Sequence, residues 1–274
     1  MVSRVQFFCP GCGAPEKPVL MLTPFYTCPG CNETIPREQL DRQRRNSYVL
    51  AGTSPSPFAI TNLGTFSDSG GSGSVATPNF QFTTGDLFVA IVADASSPDS
   101  GPTTIQLNGS DALTKAVGTT GGGGDPGIAI FTFSGTLTVP GPQSLSLTYV
   151  SAPTDIVISM FSIKGAASSP VDKTKVVQTQ SLAAAPVSFT TGATTALTNE
   201  GELAIGGVAC NPDTLLTLTN SFVRGQQASS ANLKLIDGRR QLIGKSAVTF
   251  TGSCNAAAVG ADSISAVLIT IKQR

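Results

Sequence analysis

Two copies of one four-residue pattern, Cys9-Pro10-Gly11-Cys12 and Cys28-Pro29-Gly30-Cys31, constrain this chain more than any other feature. Each Pro-Gly turn brings two sulfurs to one side of a tight loop, and the spacing between the copies suits two such loops facing a common centre. Four thiolates at about 2.3 Å complete a tetrahedron around Zn²⁺. The pattern therefore predicts a zinc ribbon over residues 1–35, with Cys9, Cys12, Cys28 and Cys31 as ligands of one Zn²⁺ per chain. Four protein ligands leave no open coordination position, so the metal role is structural and not catalytic. Binding worth on the order of 10 kcal/mol supplies what so small a unit cannot draw from its own core. A redox role for each Cys-x-x-Cys is disfavoured by the paired copies and by the lack of a thioredoxin-like βαβ pattern.

Behind the ribbon, Pro36 stands where a first helical turn tolerates proline, and Arg42, Arg44 and Arg45 follow where cations suit a helix C-terminus, so 36–46 reads as a linker helix. From 47 to 274 the chain is rich in Gly, Ser, Thr, Ala and Val, and charged residues are 12% of the whole against about 25% in typical domains. The Ser-Asp-Ser-Gly-Gly-Ser-Gly-Ser run between Gly64 and Pro78 is loop-like, as is Gly121 to Gly127. From Phe80 onward short apolar runs alternate with polar residues between turn signals: 128–133, 144–150, 156–163, 247–250 and 264–271. No stretch there sustains a 3.6-residue period, so antiparallel strands packed on one face are expected. The predicted fold is all-β, a jelly-roll-like antiparallel β-sandwich. It also looks internally duplicated. Gly85-Asp86-Leu87-Phe88-Val89-Ala90-Ile91 resembles Gly201-Glu202-Leu203-Ala204-Ile205-Gly206-Gly207, and Ser162-Ile163-Lys164 resembles Thr270-Ile271-Lys272. Pseudo-symmetric halves of one sandwich, at about 80–170 and 195–274, follow from that, with convergent strand patterns as the alternative.

Little in the sequence suits catalysis. The chain has no histidine, which removes the usual general base and every Ser-His-Asp or Cys-His arrangement. Asp99, Asp125, Asp172 and Asp213 each stand within two residues of a proline and read as makers of local turn hydrogen bonds. The glycine run at 121–124 lacks the Gly-Lys-Ser/Thr of a phosphate loop. The chain is therefore read as a non-enzyme. With 17 basic and 17 acidic side chains it has no field to gather nucleic acid or an anionic membrane, and neither is expected as a partner. Phe7, Phe8, Phe25 and Tyr26 fit a ribbon core more simply than base stacking. No secretion signal and no apolar run of bilayer length is seen. Cys210 and Cys254 end predicted strands and read as small buried thiols, with a late disulfide as the lesser alternative. A surface this sparse in charge, with sheet edges taken to lack lysine guards, favours a subunit that buries its edges in an assembly.

The Gly-Asp-Leu-Phe-Val-Ala-Ile-Val opener at 85–92, the Ile-Val-Ile-Ser-Met-Phe-Ser-Ile-Lys-Gly-Ala strand at 156–166, and the Ala-Val-Leu-Ile-Thr-Ile-Lys segment at 266–272 resemble β-sandwich structural modules of tailed bacteriophages. Such modules occur in head decoration proteins and in tail or fibre proteins. The resemblance implies a virion structural protein, made in the host cytoplasm and placed on the capsid surface. It would act as a decoration or cement protein bound between major capsid subunits, as a homotrimer, the zinc ribbon lying outside the resemblance. The alternative is a tail, baseplate or receptor-binding fibre protein.

Overall fold

The computed structural model describes residues 58–69, 71, 73–95, 101–119, 126–179, 187–210, 215–255 and 263–274, with the backbone of four short strands before them. The chain divides into two compact units, Met1–Pro57 and Phe58–Arg274, a boundary some ten residues later than the expected one. In the first unit β1 (Phe7–Phe8) pairs antiparallel with β2 (Pro15–Glu16), and β3 (Phe25–Thr27) with β4 (Thr34–Pro36). Pro36 thus closes a strand instead of opening a helix. The rest of the expected linker helix, 37–46, lies outside the described residues.

All elements described in the second unit are strands. Its first half holds β5 (Ala59–Asp68), β6 (Ser74–Ala76), β7 (Leu87–Ala95), β8 (Thr104–Leu107), β9 (Asp111–Ala112), β10 (Thr114–Thr119), β11 (Pro126–Phe133), β12 (Leu145–Thr148) and β13 (Asp155–Lys164). The second half holds β14 (Ala166–Thr179), β15 (Val187–Thr190), β16 (Leu203–Cys210), β17 (Leu215–Leu218), β18 (Val223–Ser229), β19 (Lys234–Gln241), β20 (Thr251–Asn255) and β21 (Ile264–Gln273). Each half forms a large antiparallel sheet, β10-β11-β7-β13-β5 in the first and β18-β19-β16-β21-β14 in the second. Each adds a small one, β6-β12-β8-β9 and β15-β20-β17. Only the buried Leu113 separates β9 in the small sheet from β10 in the large one, so one stretch of chain passes between the layers.

Three apolar layers separate four sheets. Strand alternation sends Phe88, Ala90 and Val92 of β7 toward Ile105, Leu107, Leu145 and Leu147 of the small sheet. The alternate set, Leu87, Val89, Ile91 and Ala93, meets Leu203, Ile205, Ala209, Val267 and Ile269 of the second half. Ala204, Val208, Leu268 and Phe250 fill the third layer. The two large sheets therefore lie face to face and are covered on both sides. That is why β7, β13, β16 and β21 are near-continuous apolar runs instead of alternating ones. The sheets come close at Gly207, since a Cβ there would come 2.7 Å from Ile91 Cγ2.

The halves correspond strand by strand. Counted within each half with the two-residue β9, which has no counterpart in the second half, left out, both large sheets run first, eighth, third, sixth, fifth, and both small sheets contain second, seventh, fourth. Gly85 and Gly201, before the third strand of each half, both hold positive φ (91° and 73°), which a side chain would resist. Thr77 N–H donates to Leu145 O (2.9 Å) and Leu145 N–H to Thr77 Oγ1 (2.9 Å). Thr191 and Phe250 repeat the exchange at 3.0 and 3.1 Å.

Several expectations change. Each half is its own pair of sheets, and the halves begin at Ala59 and Ala166 instead of about 80 and 195. Ser67 and Asp68, which open the run read as loop, belong to β5, an outer strand exposed enough that polar residues interrupt its pattern. Residues 247–250 are irregular, and β20 begins at Thr251. The outer strands are not bare: Lys115 stands in β10, Lys173 and Lys175 in β14, and Arg224 in β18. All four outer strands of the large sheets also carry register breaks, which guard edges against pairing with another chain.

Candidate functional site

The sequence-predicted metal ligands, Cys9, Cys12, Cys28 and Cys31, lie outside the described residues. What is described is their frame: Cys9 and Cys12 fall in the segment joining paired strands β1 and β2, and Cys28 and Cys31 in that joining β3 and β4. Arg42, Arg44 and Arg45 are likewise outside the described residues. Among the described residues no group of three or more His, Cys, Asp or Glu side chains is placed to hold a metal.

The most developed polar cluster lies between the two large sheets, built from residues the sequence reading did not single out. Asp237 of β19 is fully buried on the face that packs against the first half. Its Oδ2 accepts from Ser159 Oγ of β13 (2.7 Å) and from the Gln226 backbone N–H (2.9 Å), and its Oδ1 from Arg239 Nε (3.0 Å). Gln226 Nε2 donates onward to Ser159 Oγ and to Met160 O, at 3.0 and 2.9 Å. The Arg239 guanidinium lies 4.2 Å from the centre of the Phe161 ring, a cation–π contact from the second half to the first. Gly225 leaves room for the carboxylate, because a Cβ there would overlap Asp237 Oδ1. Two further bonds cross the same layer: Asn232 Nδ2 to Asp155 Oδ2 (2.8 Å) and Ser265 Oγ to Pro126 O (2.7 Å). A buried carboxylate with three donors around it is fixed and inaccessible. The cluster positions one half on the other and reaches no solvent-facing reactant.

A second cluster pairs two carboxyl groups. Thr198 donates to Asp172 of β14 from its backbone N–H (2.8 Å) and its hydroxyl (2.6 Å), and Lys173 Nζ lies 3.5 Å away. Burial acts to raise the Asp172 pKa, but the Thr198 bonds, a hydrogen bond from Glu202 and the Lys173 charge outweigh it and hold it below the ordinary value. Glu202, wholly buried before β16, is pushed up by burial and by the Asp172 charge, against hydrogen bonds from Asn199 and Thr270. Burial thus favours the neutral form of Glu202, while its surroundings hold Asp172 toward the ionised form. Such a pair has the makings of an acid and a base, yet Glu202 opens on no cleft. Asp172 was expected to make local turn bonds; its partner Thr198 is instead 26 residues away, because Asp172 sits inside a strand. Asp99, Asp125 and Asp213 lie outside the described residues.

An open groove of about 390 Å³ is lined by Thr114, Thr132, Ser134 and Ser169 with Phe133 and Pro170. It holds no titratable side chain. No helix among the described residues is long and apolar enough to cross a membrane. No protein-family model, no curated protein and no solved structure matches the chain.

Proposed function

We propose that the chain is a virion structural protein of a tailed bacteriophage, a capsid decoration or cement protein that binds between major capsid subunits and stiffens the shell. The observation carrying this reading is the close joining of two like halves: a largely apolar layer between the large sheets, cross-linked by the Asp237, Asp155 and Ser265 hydrogen bonds. A block of this kind suits load-bearing. The strand order of each half, first-eighth-third-sixth facing second-seventh-fourth, supports reading each as a jelly roll, an architecture used in viral shells. The absence of histidine from the sequence supports a non-enzymatic role. Two strand pairs, each joined through a Cys-Pro-Gly-Cys segment, support the zinc ribbon. In this reading the ribbon and Arg42, Arg44 and Arg45 dock on the capsid lattice. Because the outer strands are guarded, a trimer rests on the resemblance to decoration proteins and not on bare edges.

Counting this chain per purified virion by quantitative mass spectrometry tests the assignment. Hundreds of copies are expected of a decoration protein. A dozen or fewer would move it to the tail, and its absence from particles would overturn the reading.

A further inference from the structure

The correspondence between the halves extends to two positions where the chemistry changes. Leu87 of β7 answers to Leu203 of β16, Val89 to Ile205 and Ile91 to Gly207, so Asp94 answers to Cys210. In the small sheets Leu145 answers to Phe250 through the repeated exchange with Thr77 and Thr191. Four residues on, Tyr149 answers to Cys254.

In the first half these two positions are neighbours across the core. Asp94 and Tyr149 are 2% and 5% exposed. Burial first, and then the nearby Asp94 charge, raises the Tyr149 hydroxyl pKa above its ordinary value. In the second half both positions are cysteine, the only cysteines in the chain after the ribbon. Cys210 is 1% exposed and shares its core cluster with Leu216 and Ile264. Leu216 is the residue that pairs with Cys254 between β17 and β20.

We propose that Cys210 and Cys254 form a disulfide that staples the two sheets of the second half when the protein meets a small-molecule disulfide such as oxidised glutathione. The first thiol, as thiolate, attacks one sulfur of the reagent and releases one glutathione thiolate. The second thiolate attacks the mixed disulfide and releases the other. Two protons pass from the cysteines to the two glutathiones, the cysteine pair loses two electrons and the reagent gains them. The bond requires the two Cα atoms to stand within about 7 Å, closer than an Asp and a Tyr need. By the chain-entropy argument, closing the loop from 210 to 254 lowers the unfolding equilibrium constant on the order of a thousandfold. The inference stands on the correspondence of the halves and not on the virion reading.

The test incubates the zinc-loaded full chain with oxidised glutathione, blocks remaining thiols in denaturant, and maps the digest by mass spectrometry. A peptide linking Cys210 to Cys254 is expected. With it should come a rise in the denaturant midpoint that dithiothreitol reverses and that Cys254→Ser does not show. The map of the unsubstituted chain decides alone if that variant folds poorly. Full alkylation of both residues, or linkage of either to an N-terminal cysteine, would overturn the proposal.

Discussion

Gly225→Ala and Asp237→Ala should be strongly coupled, and the direction of that coupling tests the account of the layer between the halves. A methyl group at position 225 would occupy the space of Asp237 Oδ1. The carboxylate cannot step aside, because Asp237 is fully buried and held by Ser159, Gln226 and Arg239. Overpacking of this kind costs about 1–3 kcal/mol, and the displaced hydrogen bonds place Gly225→Ala at the upper end. Asp237→Ala removes the acceptor for three donors and leaves the Arg239 charge, whose side chain is 13% exposed, without its ion partner. Breaking one side of a buried pair costs about 3–5 kcal/mol. In the double variant the collision disappears, so the second substitution should add less than about 1 kcal/mol and the cycle should show a coupling of about 1–3 kcal/mol. Urea denaturation of the full chain reads all four species, with the slope checked for constancy. Additivity within about 0.5 kcal/mol would refute the claim that the glycine exists to admit the carboxylate.

Metal analysis should find one zinc per chain; Cys9→Ser or Cys28→Ser should release it while the Phe58–Arg274 unit keeps its denaturant transition, and a metal-free native chain would sink the ribbon. The carboxyl pair gives stability a pH signature. Glu202, with its folded pKa raised, contributes stability that is present below its unfolded pKa and lost as pH rises through the folded one. Asp172, with its folded pKa lowered, contributes stability present above its unfolded pKa and lost as pH falls through the folded one. Glu202→Gln keeps a donor toward Asp172 but cannot ionise, so it should flatten the loss on the alkaline side and leave the acid limb. An unchanged alkaline limb in thermal melts across pH would refute the upward shift of the Glu202 pKa.

The sequence by itself determined that the body is made of antiparallel strands, because strand periodicity and turn chemistry act over a few residues and need no partner. It placed β11, β13 and β21 closely, and the likeness of the 85–91 and 201–207 segments marked corresponding strands. It also carried a signal that was misread. Val-Ala-Ile-Val in β7 and Val-Leu-Ile in β21 are apolar at consecutive positions, which means cover on both faces, whereas one two-sheet sandwich calls for one covered face. The outer strands β5 and β14 were missed for the opposite reason: exposure admits Thr, Asn, Ser and Lys, and little hydrophobic pattern is left to read. Only the tertiary structure decided that the large sheets stack on each other, since that choice depends on complementarity between surfaces over a hundred residues apart in the chain. The pairing of Asp237 with Ser159, and of Asp172 with Thr198 and Glu202, belongs to the same class. A buried carboxylate in a sequence looks like any other aspartate until the fold removes its water and supplies its donors.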